Sequence, residues 1–335
     1  MQYYGSNEFL DRVHGCLAGV AVGDAMGMPA SAFLPHEIVE RYGRIEKLLD
    51  APPGHPYHDG LKAGHITDDT ELTMLVVEML LEDGGATPEG MARRILKWAT
   101  DRKLLESGLI GPSTSRAIRG LMEGRDPTET GRQGVTNGAA MKISPIGIIN
   151  VGNRQKLIDD VEKTCLPSHG TSVAISAASA VAGAIAEALT PSSTVDSAVK
   201  AALECAALGA KRGRQVTLPS IEKRIELAID LTEGMDPSAA ATVLYDYIGA
   251  DVACVSSIPT VFGLFHAAGG DPMEAIIAAS NLGGDTDTIA SMVGGIAGAL
   301  KGIDAFPSEV VRQVEEESDL DLKDVALKLI EHMMR

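Results

Sequence analysis

Residues 65–81 read HITDDTELTMLVVEMLL, a cluster of acids and hydroxyls that runs directly into an apolar pattern. The apolar residues Leu72, Leu75, Val76, Met79 and Leu80 recur at the spacing that places side chains on one face of an α-helix. No stretch of the chain shows the sustained period-2 alternation that is typical of strands. The same helical spacing recurs in three other sets, which are Leu10, Val13 and Leu17; Ile221, Ile225, Ala228 and Ile229; and Ile289, Val293, Ile296 and Leu300. The sequence therefore predicts an all-α protein.

The composition is that of a large, acidic globular protein. Its 335 residues include 46 Asp and Glu against 29 Lys and Arg, which gives a formal net charge of −17. This length allows one large core or two domains. Because the chain has no long linker and no repeat of about 20–50 residues, we expect a single domain over residues 1–335. The acid excess argues against nucleic acid and anionic membranes as partners.

Three features bear on the cell compartment. The Ala- and Ser-rich run at residues 171–189 predicts a buried helix and not a membrane span, because it is poor in Leu and carries several polar residues. The N-terminal residues MQYYGSNEFLDRVHG lack the basic start and apolar stretch of a signal peptide. The cysteines lie far apart with no CxxC pair, which indicates neither a zinc site nor a disulfide framework; they are Cys16, Cys165, Cys205 and Cys254. We therefore expect a cytoplasmic protein.

Two segments rich in acids and hydroxyls stand immediately before predicted helices: residues 65–71, HITDDTE, and residues 283–288, GGDTDT. Helix capping is one interpretation, since Asp and Thr are favoured N-caps and Asp68 with Glu71 fits the spacing of a capping box. However, a helix start needs about one capping side chain, and each segment carries two carboxylates and two hydroxyls within four residues. Such crowding of like charge is costly unless a cation or protons neutralise it.

A shared cation site would explain this excess if the two segments converge in the fold. Four carboxylates and several hydroxyls would then meet, and all of them are hard oxygen donors. Such donors suit Mg²⁺, Mn²⁺ or Ca²⁺ better than zinc, and the number of acids is sufficient for two ions. A pair of cations can orient a sugar diol and activate a water molecule.

Four motifs carry a resemblance to a known family: GCLAGVAVGDAMGMP at 15–29, TDDTELTM at 67–74, TNGAAMKISPIG at 136–147 and NLGGDTDTIASMVGGIAGALKG at 281–302. With them, the chain resembles the ADP-ribosylglycohydrolase family, which includes dinitrogenase-reductase-activating glycohydrolases and ADP-ribosylarginine and ADP-ribosylserine hydrolases. The resemblance implies an orthogonal all-α assembly around a binuclear Mg²⁺ or Mn²⁺ centre. The residues that it assigns as metal ligands are Thr67, Asp68, Asp69, Asp285, Asp287 and Thr288.

The resemblance also implies a reaction and a substrate site. The reaction is hydrolysis of a glycosidic bond at the ribose C1″, which releases ADP-ribose from a modified protein or a small ADP-ribosyl compound. Asp69 and Asp285 would then hold the attacking water through the metals. The residues expected to cradle phosphate and ribose are Asn137, Gly138, Ala139, His169, Gly283 and Gly284. Without the resemblance, the loop at 134–141 would be interpreted as a glycine-rich turn, and His169 as a core or surface histidine.

The sequence departs from the family pattern at two positions. A Glu that assists the metals and the water is expected shortly after GDAMG, but the aligned position falls on Ser31, or on Ala32 if the loop shifts by one. Glu37 could replace this carboxylate only if the loop were rearranged. Lys142 stands where an Arg is common, which keeps the charge but loses the bidentate fork. Two alternatives to an active enzyme follow, namely a catalytically weakened ADP-ribose-binding protein and a structural member of the family.

One further group of possible ligands lies in the loop at 50–64 and just beyond it. His55, His58, Asp59 and His65 crowd this segment, but their spacing is irregular. Loop histidines of mixed spacing are more often exposed to solvent than bound to a metal. The sequence therefore favours solvent-exposed side chains here.

Overall fold

The computed structural model describes residues 3–107 and 110–334, and its regular structure there is entirely helical. Apart from the helices, it contains two isolated β-bridges, which pair Thr136 with Ala253 and Thr171 with Arg214. This confirms the prediction of an all-α protein. The α-helices are α1 Asn7–Gly27, α2 Pro35–Tyr42, α3 Asp68–Asp83, α4 Pro88–Asp101, α5 Leu104–Ser107, α6 Pro112–Met122, α7 Pro127–Thr130, α8 Ser144–Ile149, α9 Arg154–His169, α10 Ser172–Ala188, α11 Val195–Gly209, α12 Ile221–Thr232, α13 Pro237–Tyr247, α14 Cys254–Ala267, α15 Pro272–Ser280, α16 Thr286–Lys301, α17 Ser308–Ser318 and α18 Leu322–Met334, and the 3-10 helices are Met28–Ala30, Asn137–Ala139 and Ile303–Ala305.

Helices α1 and α16 cross in antiparallel orientation with their backbones in contact. α1 has glycine at every fourth position from residue 15 to residue 27, which places all four glycines on one face. A Cβ at Gly19 would lie 2.0 Å from the carbonyl oxygen of Gly294, and a Cβ at Gly23 would lie 2.1 Å from that of Ala290. Because the opposing atoms are backbone, no side-chain rotation could relieve these contacts. The crossing fixes Asp24 of α1 beside the N-terminus of α16.

Helix α10 lies at the centre of the molecule. Every residue of it except Glu187 is buried, which confirms the buried helix predicted from the run at 171–189. Helices α8, α9, α11 and α16 pack around it. Most of the buried apolar side chains form one contiguous cluster that extends from Phe9 to Ile330, and a second, small cluster contains Ala30, Phe33, Ile38 and Ile45.

The segment between α2 and α3 contains no helix and folds back onto the N-terminus of α16, which His58 contacts through Asp287. In the part of the chain that the structure describes, no single helix is long and apolar enough to cross a membrane. Within the same residues, α1 with its 3-10 extension reaches the necessary length and apolar composition only together with α2, from which a bend of 88° separates it.

Candidate functional site

The two acidic segments meet in the structure. Thr67 is the N-cap of α3 and Asp285 occupies the N-cap position of α16. Between the two helix ends, the hydroxyl of Thr288 lies 3.2 Å from Asp69 Oδ2 and 3.3 Å from Asp285 Oδ1. The convergence that a shared site requires is therefore present, although these side chains are up to 219 residues apart in the sequence.

The capping box expected at the start of α3 is not formed. Thr67, and not Asp68, caps the helix, and its hydroxyl accepts a hydrogen bond from the backbone of Asp69. Glu71 turns away from the helix start, where its carboxylate accepts from Trp98 Nε1 at 2.7 Å and pairs with Arg102. Asp68 and Asp69 therefore do not cap α3 with their side chains.

A double-glycine turn aims the second segment at the first. Gly283 and Gly284 have φ angles of +89° and +77°, a region that favours glycine. A Cβ at Gly284 would also lie 2.3 Å from the carbonyl oxygen of Ala250. The turn is held by hydrogen bonds on both sides, from Asp285 N to Ala250 O at 2.7 Å and from Ala32 N to Gly284 O at 2.7 Å. This places the loop that carries Ser31 directly against α16.

Asp24 is a fifth carboxylate at the site, and the sequence analysis did not assign it. It is fully buried in α1. Its two oxygens accept from the backbone and hydroxyl of Thr67 at 2.8–3.0 Å and from the backbone and hydroxyl of Thr70 at 3.1 and 2.5 Å. Asp24 thus fixes the first turn of α3. A charged residue in the apolar part of α1 from Gly15 to Gly27 was the available signal.

Asp287 is held by three donors. Ser31 Oγ donates to its Oδ1 at 2.9 Å, and the backbone of Thr288 donates to the same oxygen at 3.0 Å. His58 Nε2 lies 3.0 Å from its Oδ2. The expectation that the loop histidines are exposed is wrong for two of them, because His55 is 4% exposed and the His58 side chain is 12% exposed. A stacked pair of rings, packed against Phe33, removes them from solvent.

Ser31 and Glu37 show that the carboxylate expected in this loop is missing from the site. The position expected to carry a Glu holds a hydroxyl that serves Asp287, so no carboxylate from this loop enters the cluster. Glu37 does not replace it, because its carboxylate accepts from the backbone of Leu34 at 2.8 Å within its own helix turn.

Burial and mutual repulsion perturb four of the five carboxylates. Burial, with the charges of Asp287 and Asp24, raises the pKa of Asp68 to about 7. Burial raises the pKa of Asp24 to about 6, although its hydrogen bonds act to lower it. Burial followed by neighbouring carboxylates also raises the pKa of Asp69 and of Asp285 well above the usual value. These four groups resist ionisation unless positive charge is supplied.

Asp287 is the exception among the carboxylates. Burial acts to raise its pKa, but the hydrogen bond and charge of His58 outweigh burial, so that the pKa lies below the usual value. The reverse holds for His58, where burial lowers the pKa and the contact with Asp287 raises it above the usual value overall. The two groups therefore stabilise each other in their charged forms.

The cluster contains too few hydrogen atoms to satisfy its own oxygens. Asp69 Oδ1 is buried and makes no hydrogen bond. A hydroxyl has one hydrogen to donate, and the hydroxyl of Thr67 donates it to Asp24 at 2.8 Å. Its oxygen therefore lies 3.3 Å from Asp69 Oδ2 with no hydrogen between the two acceptors. Thr288 likewise faces two carboxylates with one hydrogen. A hard divalent cation is the group that such a surplus of oxygen acceptors fits.

The side chains do not form a preformed cage. Within residues 3–107 and 110–334, no three acidic, histidine or cysteine side chains converge on one point as the ligands of an ion do. The carboxylates instead approach one another in pairs, through the hydroxyls of Thr67 and Thr288. The donor chemistry therefore fits a divalent cation.

The glycine-rich loop expected to bind substrate forms one wall of the site. Its Asn137 donates through Nδ2 to Asp285 Oδ2 at 2.5 Å. His169 lies behind the loop, fully buried, and contacts the hydroxyl of Thr136 at 2.9 Å. A Cβ at Gly138 would lie 2.8 Å from the His169 ring, so the loop rests on this imidazole. Burial holds the pKa of His169 well below its usual range, which keeps the ring neutral.

Lys142 anchors the same loop from beneath. Its side chain is 1% exposed, and its amine donates to the carbonyl oxygen of Gly138. Burial lowers the pKa of this amine to about 8. Its position beneath the loop means that Lys142 supports the backbone and does not reach the cleft.

The cluster forms the floor of a cleft with a volume of about 480 Å³. Of the predicted residues, Asp68, Asn137, Gly138, Gly284, Asp285, Asp287 and Thr288 line this cleft, as do the unpredicted Ser31, Tyr57 and His58. Five other predicted residues do not line the cleft, namely Thr67, Asp69, Ala139, His169 and Gly283. An apolar rim faces the carboxylates and includes Ile110, Pro112, Met141 and Val252.

Comparison with known proteins gives consistent matches over almost the full chain. The model of the ADP-ribosylglycohydrolase family matches residues 5–335. The uncharacterized protein YegU of Escherichia coli strain K12 is 31% identical over 326 residues, which cover 96% of this chain and 97% of that protein. Human ADP-ribosylhydrolase ARH3 is 26% identical over an alignment of 353 positions, covering 94% and 93%. A solved structure, described as an ADP-ribosylglycohydrolase-related protein complex, shares the fold with a TM-score of 0.72 at 24% identity, covering 98% and 100% of the two chains.

Proposed function

Because the chain belongs to the ADP-ribosylglycohydrolase family, we propose that it hydrolyses the glycosidic bond of ADP-ribosyl adducts in a cation-dependent reaction that releases ADP-ribose. The observation that carries this proposal is the carboxylate cluster on the cleft floor, with its unpartnered Asp69 Oδ1. Such a cluster is costly in a metal-free protein, and it becomes favourable when divalent cations neutralise it.

The donor set is suited to a pair of Mg²⁺ or Mn²⁺ ions. The residues that would hold them are Thr67, Asp68, Asp69, Asp285, Asp287 and Thr288. When bound, such ions polarise the hydroxyls of a sugar and lower the pKa of water. The chain itself supplies the orientation, since Asp24 fixes the first turn of α3 and Asn137 fixes Asp285 Oδ2.

Proton transfer is assigned to Asp285, whose pKa burial and neighbouring carboxylates raise well above the usual value. Asp69 Oδ1 has no hydrogen-bond partner, but Asp69 does not line the cleft, so its role would be to hold a cation. Asp285 lies on the cleft wall, where its Oδ1 contacts only the hydroxyl of Thr288 at 3.3 Å. A carboxylate with a raised pKa is a stronger base than an ordinary carboxylate.

The diphosphate of the substrate must be bound without help from cationic side chains, because no Lys or Arg is among the described residues that line the cleft. Backbone N–H groups of the loop around Gly138 are the proposed phosphate donors, since this glycine lines the cleft, whereas the N–H groups of Gly284 and Asp285 already donate to Phe33 O and Ala250 O. The apolar rim suits the base of a nucleotide.

The test is release of ADP-ribose from ADP-ribosylated arginine and serine peptides with Mg²⁺ or Mn²⁺. Asp285→Asn should abolish turnover while keeping the shape of the side chain. Asp246→Asn removes an exposed carboxylate from α13 and serves as the matched control. Metal-dependent turnover that is lost only in Asp285→Asn supports the enzyme. Turnover that persists in EDTA refutes it.

A weakened ADP-ribose-binding protein is the second candidate, and the hydroxyl of Ser31 at the position expected to hold a Glu favours it. Calorimetric titration with ADP-ribose separates the two. Tight binding of ADP-ribose without any turnover would support the binding protein, and absence of both cation and ADP-ribose binding would leave only a structural role.

The partner and the compartment follow from the proposed reaction. The substrate is an ADP-ribosylated protein or a small ADP-ribosyl compound, with neither nucleic acid nor membrane involved. A cytoplasmic location agrees with four buried free thiols at Cys16, Cys165, Cys205 and Cys254.

A further inference from the structure

His58 is the one histidine among the described residues that line the cleft. All other chemical groups on the cleft floor that could bind a cation are oxygens, from the carboxylates and hydroxyls. The imidazole faces Asp287 from the cleft side, with Nε2 3.0 Å from Oδ2. Its placement among oxygen donors calls for a chemical explanation.

The two oxygens of Asp287 have different surroundings. Oδ1 receives Ser31 Oγ at 2.9 Å and the backbone N–H of Thr288 at 3.0 Å, so the protein already occupies it. Oδ2 has His58 as its hydrogen-bond partner. Oδ2 is therefore the oxygen available to a cation, and His58 Nε2 is its immediate neighbour.

The loop is built to keep His58 in this place. The Nδ1 atom of His55 accepts hydrogen bonds from the backbone N–H groups of Tyr57 at 3.2 Å and His58 at 3.0 Å. The two imidazole rings stack with centroids 4.9 Å apart and planes 28° apart, and Phe33 packs on the other side of His55 at 5.0 Å. A buried histidine thus orders the turn that presents a second one.

The spacing of the two atoms fits neighbouring ligands of one ion. Two ligands on adjacent corners of an octahedron with bonds of about 2.1 Å lie about 3 Å apart. The separation of Nε2 and Oδ2 is 3.0 Å. A cation can therefore bind both atoms at this distance once it has displaced the proton of Nε2 to solvent.

We infer that His58 Nε2 is a ligand of the cation held by Asp287, so that the site combines one nitrogen donor with its oxygen donors. This inference rests on the proposed cation-dependent function. Nitrogen donors favour transition metals over Mg²⁺. The site should therefore prefer Mn²⁺ to Mg²⁺, and His58 should be the residue responsible for that preference.

The experiment is pulsed electron paramagnetic resonance of the full chain loaded with Mn²⁺. A directly bound imidazole produces ¹⁴N modulation of the Mn²⁺ echo, and protein grown with ¹⁵N-histidine should show the ¹⁵N pattern instead. This measurement needs no substitution and so does not depend on the folding of a variant. His58→Gln should remove the modulation and weaken Mn²⁺ binding by about 10- to 100-fold, with a smaller effect on Mg²⁺. His36→Gln changes an exposed histidine of α2 and should match the unmodified protein.

The outcomes separate this inference from the proposed function. Mn²⁺ that binds and supports turnover but shows no nitrogen modulation overturns the role of His58 and leaves the function standing. Equal losses of Mn²⁺ and Mg²⁺ affinity in His58→Gln also overturn it, because a residue that only orders the loop would affect both ions alike. Absence of Mn²⁺ binding to the unmodified protein overturns both.

Discussion

The substitution Gly23→Ala tests whether the close crossing of α1 and α16 holds the site together. The new Cβ would lie 2.1 Å from the carbonyl oxygen of Ala290 and 2.7 Å from the backbone nitrogen of Ser291, whereas ordinary contact begins at 3.4 Å. The helices must therefore move apart by about 1.3 Å at this point. The movement separates Asp24 from the first turn of α16.

Two energies of opposite sign decide the effect on stability. Replacing glycine by alanine inside a helix favours the folded state by about 1 kcal/mol. Overpacking costs about 1–3 kcal/mol and occasionally more, and here both sides of the clash are backbone, so the cost lies at or above the upper end. We expect a net loss of about 2–3 kcal/mol. For a chain of this length that corresponds to a fall in Tm of about 3–4 °C.

The site should lose more than the fold does. Thr288 Oγ1 and Asp69 Oδ2 are 3.2 Å apart across the two segments, so a shift of α16 by more than 1 Å misplaces the donors. A misplacement of about 1 Å can reduce a rate about 100-fold. The assay combines thermal unfolding, Mn²⁺ titration and ADP-ribose release.

Gly120→Ala is the matched control, because Gly120 also lies inside a helix but its new Cβ would meet side chains and no backbone, with the methyl of Thr130 at 3.0 Å and Cδ of Arg125 at 3.5 Å. This variant should be neutral or slightly more stable, with unchanged Mn²⁺ binding. If Gly23→Ala behaves like the control in all three measurements, the backbone crossing does not position the site and our reasoning is wrong.

Three other predictions concern the buried charges. Because burial raises the pKa of Asp24 to about 6 and of Asp68 to about 7, the metal-free folded state holds protons that the unfolded chain loses above about pH 4. The contribution of these two groups to the stability of the metal-free protein therefore falls as pH rises. The difference between the Tm in Mn²⁺ and the Tm in EDTA should then grow from pH 5.5 to pH 8, and a constant difference contradicts this. For Lys142, burial lowers the pKa to about 8, so between about pH 8 and pH 10.4 the folded state binds fewer protons than the unfolded chain. The free energy of unfolding should therefore rise with pH in that range. Urea unfolding of Lys142→Met should show no such rise. Ser31→Glu replaces a donor with a like charge, so Tm in EDTA should fall and the gain on adding Mn²⁺ should widen; an unchanged rate of ADP-ribose release would show that the missing carboxylate does not limit turnover.

The helices of the site could be predicted because their signals are local. The spacing of Leu72, Val76, Met79 and Leu80 follows from burial of one face of α3, and all four side chains are buried. The acidic segments were recognisable because two carboxylates exceed what one helix start requires. Their meeting followed only from the argument that so much like charge needs a common counter-ion.

The partners of single side chains could not be predicted. Asp24 is the one acid in the apolar part of α1 from Gly15 to Gly27, and its partner Thr67 lies 43 residues away. His58 belongs to an irregular loop, and its partner Asp287 lies 229 residues away. Neither contact produces a periodic pattern in the sequence, because each contact depends on how helices that are distant in the sequence pack together. For the same reason the sequence does not indicate that α1 and α16 are the helices that touch.

The long separation between the two halves of the site has a consequence for synthesis of the protein. Asp69 and its neighbours leave the ribosome early, whereas Thr288 follows 219 residues later. Until then α1 cannot pack against α16, and the carboxylates of α3 lack the oxygen donors at the start of α16. The nascent chain therefore cannot assemble its cation site or act on a substrate while most of it already exists. Capture of the cation can report that the chain has been made as far as α16.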